Sequence, residues 1–399
     1  MPTASDRGES IGLMEPMLVA ESSRHRAGLT DLAVELAQVS AAFRASLPSG
    51  IEVALATLVR AMNCYYSNLI EGHNTHPIDI ERALKNDYSR DRGKRNLQFE
   101  AKAHITVQAW IDADGLDGAA TTAGSILDIH RRFCELLPDD LLAVENPATG
   151  ESVKLVPGVY RHRDVRVGRH DAVSPGAVQR FLKRYEEAYA KLGRVDAILA
   201  TAAAHHRLLW IHPFLDGNGR VARLVSHAML RQALDSGSIW SIARGLARNE
   251  SAYKQHLAAC DLNRRNDLDG RGTLSEEALA DFTRFVLEVS IDQVAFMRDL
   301  VQPDKLRARI LLWSEEQIRS GELPPKTGLL LEALLYRGEL PRADVPALLG
   351  VGDRQARRIT GTLIDDGILT TAGPKAPLRL AFPAKLAARW MPGLFPDQT

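Results

Sequence analysis

The sequence contains few cysteines and no excess charge, and both absences narrow the classes of function to consider. Only three of the 399 residues are cysteines, and they lie far apart. That spacing does not fit a zinc site or a disulfide framework. Lys plus Arg and Asp plus Glu each number 50, so no net charge attracts the whole protein to nucleic acid or to a membrane surface. Such a partner would have to contact a local patch.

Long apolar runs are also missing. No run approaches the ~18 residues that span a membrane, and the first 20 residues include three acidic residues in place of the basic start and apolar stretch of a signal peptide. We therefore predict a cytoplasmic protein without a membrane partner. At 399 residues, the chain exceeds the length at which one hydrophobic core keeps growing, so two or more domains are expected.

The dominant pattern is helical, and the predicted fold class is all-α. Apolar residues recur at spacings of three and four on both sides of a break at Leu47-Pro48-Ser49-Gly50. Further helices are predicted at about 95–112, 120–136, 175–192, 195–211, 218–234 and 274–300. Ser174-Pro175 predicts an N-cap followed by proline at the first helical position. One segment alternates apolar and polar residues instead, which predicts a β-hairpin near 153–168.

The pattern changes after residue 302, where a small C-terminal unit is predicted. Its elements are a helix at 342–349, a glycine-containing turn at 350–352, a helix at 353–366 and two strands around Gly373-Pro374. This order matches a winged helix-turn-helix. The second helix carries Arg354, Arg357 and Arg358, which suit DNA contacts, whereas nearby aspartates oppose a strong basic patch. Winged helices also bind proteins or dimerise, so DNA binding stays one of two interpretations.

The densest polar cluster in the chain is the segment 212–223, between two predicted helices. Small residues at the start of the second helix permit a close approach, and the unpaired N–H groups there suit a phosphate. The residues that supply these N–H groups are Gly217, Asn218 and Gly219.

The charged members of this segment complete a phosphate-transfer pattern. Arg220 and Arg223 lie three residues apart on the first turn of the helix, a spacing that suits a clamp on polyphosphate oxygens. Asp216 offers a carboxylate for Mg²⁺. His212 is the one residue of the set that titrates near neutral pH, and it suits removal of a proton from a hydroxyl.

Two other interpretations of local patterns are weaker. Gly217-x-Gly219-x-x-Ala222 formally matches a dinucleotide-binding variant, but a helix and not a strand precedes it. The segment 265–276 resembles a calcium loop, but Arg265 occupies the position of an essential acidic ligand. We interpret the first as part of the polar cluster and the second as a helix connection.

The segment resembles the Fic signature, His-x-Phe-x-(Asp or Glu)-Gly-Asn-Gly-Arg-x-x-Arg, and matches it at every specified position. The resemblance implies a protein adenylyltransferase, which moves AMP from ATP to a Ser, Thr or Tyr hydroxyl of a target protein, with self-modification as one case. It implies that His212 activates the hydroxyl, that Asp216 ligates Mg²⁺ and that Arg223 holds the γ-phosphate of ATP. Asn218 and the glycine amides would hold the phosphates, with Arg220 beside them, and relatives often form dimers.

Two further segments resemble parts of the Fic core. Gly158-Val159-Tyr160-Arg161 followed by Val165-Arg166-Val167-Gly168 resembles the family's flap hairpin, which covers the nucleotide and aligns the target. The implied binding positions are Val167, Gly168, Arg169 and His170. The arginines of this segment, at 161, 163, 166 and 169, fit either an exposed loop or an electrostatic guide. Tyr253 resembles the tyrosine that stacks near adenine, although Lys254 and Asp261 depart from the family pattern.

Residues 67–72, Ser-Asn-Leu-Ile-Glu-Gly, resemble the inhibitory motif of Fic proteins that carry a helix before the core. The resemblance implies that Glu71, in a motif that begins at Ser67, pairs with Arg223 and fills the space that the γ-phosphate needs. In some relatives the same glutamate assists removal of AMP. The predicted domains are a helical region with the inhibitory helix at 1–90, a Fic core at 91–302 and a winged helix-turn-helix at 303–399. The alternative is a DNA-binding regulator whose Fic core only senses nucleotide.

Overall fold

The structure, a computed structural model, describes residues 5–145, 150–234 and 236–396. Sixteen α-helices lie within these residues and confirm the all-α fold class. They are α1 Arg26–Ala45, α2 Ser49–Ile70, α3 Pro77–Leu84, α4 Arg92–Asp112, α5 Ala123–Glu135, α6 Val178–Tyr189, α7 Arg194–Ile211, α8 Asn218–Leu234, α9 Ile242–Arg248, α10 Glu250–Cys260, α11 Glu276–Leu300, α12 Pro303–Ser320, α13 Thr327–Arg337, α14 Val345–Leu349, α15 Asp353–Asp365 and α16 Ala387–Trp390. Short 3₁₀-helices occupy Ile11–Met14, Asp139–Leu141, Pro175–Ala177, Arg342–Asp344 and Ala384–Leu386.

The strands described by the structure form three small antiparallel sheets. Strand β1 (Ala143–Glu145) pairs with β2 (Ser152–Lys154), and β3 (Arg166–Val167) pairs with β4 (His170–Asp171). The third sheet has the order β5-β7-β6, with β5 at Glu339–Leu340, β6 at Leu369–Thr370 and β7 at Leu378–Leu380. None of these sheets forms a core layer, so the helices carry the fold.

The single hairpin predicted near 153–168 is wrong. The structure forms two separate hairpins, and residues 155–165 connect them as a loop. Pro157 and Gly158 interrupt the alternation, since Gly158 has a φ of +67° and Pro157 has no N–H for a ladder. The first hairpin therefore takes its partner strand from residues 143–145, and the second is confined to 166–171. We call residues 166–171 the flap.

Helices α7 and α8 pack against each other at the centre of the molecule. Their facing residues are almost entirely buried, and α1, α4, α5, α6 and α11 surround them. Full burial of one Leu, Ile or Val side chain contributes about 1.5–3 kcal/mol. The helix pair is consequently a rigid base for the six residues 212–217 between the two helices.

The N-terminal segment 5–25 lies across α6 and the two ends of the flap. Arg7 forms an ion pair with Asp164 (2.8 Å between Nη1 and Oδ1), and Asp6 pairs with Arg180. The carboxylate of Glu9 accepts hydrogen bonds from the backbone N–H and the hydroxyl of Ser174. Ser174 is the N-cap residue and Pro175 opens the 3₁₀-helix, as predicted, but the Ser174 hydroxyl donates to Glu9 and makes no capping hydrogen bond.

The C-terminal region packs directly on α2. The backbones meet so closely that a Cβ atom added to Gly50 would lie 1.9 Å from the carbonyl oxygen of Gly338. The hydroxyl of Tyr66, in α2, donates to the carbonyl of Leu394 (2.9 Å). Buried residues of all three predicted regions join one continuous core. The domain boundaries at 90 and 302 stay a prediction.

The order α13, β5, α14, α15, β6, β7 contains every element predicted for 342–380 and adds the short strand β5. Gly350 ends α14 in the left-handed conformation, as the predicted turn between the two helices requires. The winged helix-turn-helix assignment stays a prediction. No helix in the described ranges is long and apolar enough to cross a membrane.

Candidate active site

The loop between α7 and α8 begins with an unusual backbone conformation at His212. This residue is in the left-handed region (φ 51°) at the C-terminal end of α7, and its N–H donates to the carbonyl of Leu208 at 3.0 Å. A non-glycine residue in this region costs of the order of 1–3 kcal/mol and persists only where its surroundings hold it. Gly217, at the other end of the loop, has a φ of +82°, which favours glycine.

Phe214 and Asn218 fix the middle of the loop. Phe214 is completely buried and stacks on the ring of His130, with 3.7 Å between ring centroids and 2° between ring planes. The side chain of Asn218 accepts from the N–H of Phe214 (3.0 Å) and donates to its carbonyl (2.9 Å). Phe214 therefore packs inward. Both amide atoms of Asn218 serve the loop, which leaves its backbone for contacts with phosphate.

The imidazole of His212 is largely shielded from water. Burial, followed by repulsion from the guanidinium of Arg161, lowers the pKa of His212 to about 4. The ring is therefore neutral at pH 7, as a general base requires. Its Nδ1 atom has no hydrogen-bond partner among the described residues.

Asp216 is the exposed acid of the loop. One carboxylate oxygen accepts a hydrogen bond from the N–H of Gly217 (2.6 Å), which leaves the other oxygen available to a cation. The described residues contain no group of three or more His, Cys, Asp or Glu side chains that could hold a metal. Mg²⁺ at phosphate sites takes one or two carboxylates and completes its shell with waters and substrate phosphates. A single aspartate in this position fits that mode of binding.

The two arginines on the first two turns of α8 form ion pairs with two different segments, α4 and the end of α2. Arg220 pairs with Glu100 of α4 (2.9 Å) and lies over the ring of Phe133. Arg223 donates from Nε to the hydroxyl of Ser67 (2.8 Å) and from Nη2 to the carboxylate of Glu71 (2.5 Å). Both arginines are buried. The structure therefore places Arg223, Ser67 and Glu71 together, whereas Arg220 is directed towards α4.

The carboxylate of Glu71 lies on the first turn of α8. A Cβ atom added to Gly219 would be 2.3 Å from its Oε1 atom, so the acid contacts the backbone that opens the helix. Burial alone would raise the pKa of Glu71, but the attraction and hydrogen bond of Arg223, together with attraction to Arg220 and His73, hold this pKa below its ordinary value. An ionised carboxylate thus lies at the positive end of a helix, where anions bind.

Three residues that support this site belong to no motif of the sequence. Glu100 joins Arg220 to His73, whose Nδ1 atom is 3.0 Å from the Glu100 carboxylate. Hydrogen bonding to Glu100 raises the pKa of His73. His130 supports Phe214 by stacking and accepts a hydrogen bond from the N–H of Gly158 (3.0 Å). Each is a single polar residue in an otherwise ordinary helix or turn, so only the packing of distant helices reveals its role.

The flap lies beside the end of α7. Its strands are joined by Gly168 and Arg169, and the φ of +60° at Gly168 favours glycine at the first position of a two-residue turn. His170 contacts the carbonyl of Trp210 through Nε2 (2.8 Å), which connects the flap to α7. Val167 is 47% exposed. The predicted flap positions are therefore adjacent in one short hairpin with an exposed apolar side chain.

Tyr253 lies beneath Arg223 and is only 2% exposed. Its hydroxyl is 2.7 Å from Nε2 of His205, whose Nδ1 atom contacts the hydroxyl of Ser226. Asp261, the departure from the family pattern, pairs with Nε2 of His206 (3.0 Å). In this conformation the Tyr253 ring has no open face, and its contact with adenine stays a prediction.

Fold and site together describe an all-α protein in which a histidine follows the last residue of α7, and a glycine-containing loop and the start of α8 form a candidate anion site. Comparison with known proteins supports this description of the fold and of the site. Residues 120–230 match the family model described as the Fic/DOC family. Over these residues the chain is similar to the Fic/DOC family.

The chain is similar to curated proteins named Protein adenylyltransferase Fic. It is 30% identical to the one from Nematostella vectensis over 173 residues, which are 42% of this chain and 37% of that protein. It is 28% identical to the one from Drosophila grimshawi over 193 residues, 46% of this chain and 37% of that protein. The chain thus spans little more than a third of the length of these relatives.

Among solved structures, the fold is similar to a Fic family protein from Desulfovibrio desulfuricans G20. The TM-score is 0.52 at 16% identity, over 91% of this chain and 98% of that one. At this identity the likeness bears on the fold alone.

Proposed function

We propose that the protein is a nucleotidyltransferase of the protein adenylyltransferase type, which moves AMP from ATP to a hydroxyl of a target protein. The observation that carries this proposal is the neutral imidazole of His212 beside an anion-binding helix start that already holds a carboxylate. The names of the curated relatives support the same reaction. The alternative of a nucleotide sensor without transfer gives His212 no purpose.

In the proposed reaction, His212 accepts the proton of the attacking Ser, Thr or Tyr hydroxyl. A bond then forms between the hydroxyl oxygen and the α-phosphorus of ATP. The bond from that phosphorus to the bridging oxygen breaks, and pyrophosphate leaves with the electron pair. Since the ring is neutral at pH 7, it can take the proton without first losing one.

The phosphates would be held by the loop and by the start of α8. Backbone N–H groups at Gly217, Asn218 and Gly219 and the positive end of the helix suit the triphosphate. Arg223 suits the γ-phosphate, and Asp216 would hold Mg²⁺ through its remaining oxygen. The metal, when bound, neutralises charge on the phosphate oxygens.

The flap would align the target. An extended segment of the target can add to the edge of a two-stranded hairpin through backbone hydrogen bonds. Val167 offers an apolar contact for such a segment. Backbone strand addition would place a hydroxyl beside His212 whatever the sequence of the target segment. Other contacts would then determine which protein is the target.

Glu71 would inhibit the transfer in the conformation observed. It occupies the contact with Arg223 and Gly219 that the γ-phosphate needs. A charge-assisted hydrogen bond contributes about 1.5–3 kcal/mol, which corresponds to roughly a 10- to 150-fold change in an equilibrium constant. Removal of the pair between Glu71 and Arg223 is therefore expected to increase the rate of AMP transfer by a factor of this size.

The test compares the parent with four variants, each incubated with α-labelled ATP and Mg²⁺. Glu71→Gly is expected to increase labelling of itself and of added lysate proteins by about 10- to 150-fold over the parent, and Glu71→Gln by less. Glu35→Gln changes an exposed glutamate of α1 and serves as the matched control. Glu71→Gly/His212→Ala should transfer no label. Equal labelling by parent and Glu71→Gly would reject inhibition by Glu71, and label that survives His212→Ala would reject the transfer mechanism.

One observation favours a second function, DNA binding by the C-terminal region. Arg354, Arg357 and Arg358 are exposed on α15. Within the described residues, none of the three forms an ion pair, unlike most arginines of the core. Three unpaired guanidinium groups on the second helix of a helix-turn-helix suit phosphate and base contacts.

Duplex binding at several salt concentrations tests this second function. For every phosphate that the triple Arg→Gln variant no longer neutralises, the slope of log affinity against log salt should fall by about 0.9. A matched variant at Arg319, which is exposed on α12, should retain the parent slope. Binding without salt dependence, or none at all, would leave protein binding as the function of this region.

A further inference from the structure

Arg161 occupies the space between the flap and the catalytic loop. Its guanidinium is buried, with 1% of the residue exposed. Buried arginines usually pair with a carboxylate, because an uncompensated charge in the interior is costly. Among the described residues, no carboxylate forms an ion pair with Arg161. Its acceptors are backbone carbonyl oxygens.

These carbonyls belong to two segments. On the catalytic side, Nε donates to the carbonyl of His212 (2.7 Å), Nη2 donates to that of Ile211 (3.4 Å), and the backbone N–H of Arg161 donates to that of Pro213 (2.9 Å). On the flap side, Nη1 donates to the carbonyl of Arg163 (2.9 Å) and Nη2 to that of Val173. One residue thus holds three consecutive residues where α7 ends and the loop begins, and the chain on both sides of the flap.

The catalytic side explains how the backbone of His212 is held. The last carbonyls of a helix lack intrahelical partners, and a cation at that end also interacts favourably with the helix dipole. The carbonyl of His212 belongs to a residue with a φ of 51°, which needs external support. Arg161 satisfies this carbonyl and thereby sets the direction in which the imidazole leaves the backbone.

The flap side fixes where the target would lie. Arg163 and Val173 flank residues 166–171, so their carbonyls are the two points from which the flap projects. The guanidinium is planar and presents five N–H donors in fixed directions, whereas a lysine ammonium is a single centre with three donors. One rigid group therefore links the flap to His212, beside the contact of His170 with the carbonyl of Trp210.

We infer that Arg161 is a positioning residue for AMP transfer, which holds the His212 imidazole and the flap at a fixed separation across the reacting hydroxyl. The inference rests on the proposed function. It assigns Arg161 a different role from the exposed arginines at 163, 166 and 169, although all four belong to one arginine-rich stretch of sequence.

Arg161 also acts on His212 through its charge. The charged or titratable groups that face this imidazole are Arg161, His170 and Asp216. Burial and the cation at 161 disfavour protonation of the ring, whereas Asp216 favours it. Removal of the cation is therefore expected to raise the pKa of His212, while a lysine that retains the charge should leave it close to the parent value.

The experiment uses the full chain with Glu71→Gly as the active parent. Arg161→Lys retains the charge but cannot reach all the carbonyls, so kcat is expected to fall about 10- to 100-fold, the effect of losing one or two hydrogen bonds. Arg161→Gln should lose at least as much. Arg92→Gln removes an exposed arginine of α4 that pairs with Asp140 and is the matched control, with a rate within twofold of the parent.

NMR titration of the labelled histidines gives a readout besides rate, with the His212 signal assigned from its loss in His212→Ala. Arg161→Gln is expected to shift the His212 titration towards 6.5, and Arg161→Lys should leave it near the parent. A folded Arg161→Lys protein with the parent rate would overturn the inference. Unfolding of both variants at the assay temperature would also overturn it, since Arg161 would then serve the fold and not the site. If the Glu71→Gly parent itself transfers nothing, the proposed function has failed, and the titration still tests the contact of Arg161 with His212.

Discussion

His212 departs from an ordinary histidine in two ways, in its backbone φ angle and in the pKa of its imidazole. Its φ of 51° is supported by contacts from α7 and Arg161, and its imidazole has a pKa of about 4 in place of 6.5. A left-handed residue at the end of a helix directs its side chain away from the helix axis. The lowered pKa keeps the ring neutral at pH 7 and so able to accept a proton, but it also makes the imidazole a weaker base than one whose pKa lies near the operating pH.

The first prediction concerns the pH dependence of transfer by the Glu71→Gly protein. Because the folded pKa of His212 is about 4, the base stays deprotonated as pH falls through 6.5. We expect kcat/KM at saturating Mg²⁺ to stay within about twofold from pH 7.5 to 5.5 and to fall only as the pH approaches 4. Initial rates at each pH, with His212→Ala as the blank, measure it. A tenfold loss between pH 7 and 5.5 in folded protein would contradict it.

The residues of this site differ in how far the sequence could predict them. His212, Asp216 and Arg223 lie within twelve consecutive positions, so their spacing alone brings them to one loop. Glu71 is some 150 positions from Arg223 and could be predicted only because its short motif resembles a known one. Glu100 and His130 have no motif, and their roles depend on how α4 and α5 pack against α8, which spacing along the chain does not specify.

At the scale of elements, α2 connects two regions. Its first turn touches the backbone of Gly338, and its last residues carry Ser67 and lead to Glu71. The close approach at Gly50 depends on the missing side chain, since a Cβ atom there would overlap the carbonyl of Gly338.

The second prediction is that Gly50→Ala destabilises the protein. The added methyl group must move the backbone of Gly338, and overpacking of this kind costs about 1–3 kcal/mol. The control is Gly28→Ala in α1, where the nearest atom is 3.7 Å away and the change should gain up to about 1 kcal/mol of helix propensity. Thermal unfolding should give midpoints that shift in opposite directions. A Gly50→Ala midpoint at or above the parent value would refute the close contact.

Most long helices could be predicted from the sequence, α12 being the exception, whereas the short elements before residue 302 could not. Helices such as α1, α7 and α8 repeat their apolar spacing over 17 or more residues, which is enough to define a period. Helices α3 and α9 have eight and seven residues, and β3 and β4 have two each. At that length, no periodicity separates a strand from a loop. The partner of β2 is the unremarkable segment Ala143–Glu145, so the pairing comes from tertiary contacts.

At the scale of the whole molecule, a group of buried imidazoles lies under the active site. Burial lowers the pKa of His104 and His205 to about 3 and that of His130 and His206 to about 4. His104 and His205 also lie close enough to Arg223 for repulsion to contribute. Folding therefore requires these rings to stay neutral.

The third prediction follows from proton linkage. Between about pH 6.5 and the lowered values, the unfolded chain binds protons that the folded protein does not, so stability is lost as the pH falls through this window. Each such imidazole contributes about 1.4 kcal/mol per pH unit. Unfolding midpoints should fall clearly from pH 7 to 5. His104→Gln should reduce the slope of the unfolding free energy against pH by the equivalent of about one proton. His162→Gln, which changes an exposed histidine, should leave this slope unchanged. Identical slopes for both variants would contradict the assignment.

The 22 residues of α2 make a rod about 33 Å long. One end rests on the C-terminal region and the other presents a carboxylate to Arg223, so a tilt of only ~3° about the Gly50 end displaces Glu71 by roughly 1.6 Å. Linkage between two such sites is reciprocal. Any molecule that binds the C-terminal region and tilts this rod changes the affinity for nucleotide, and nucleotide changes the affinity for that molecule by the same factor.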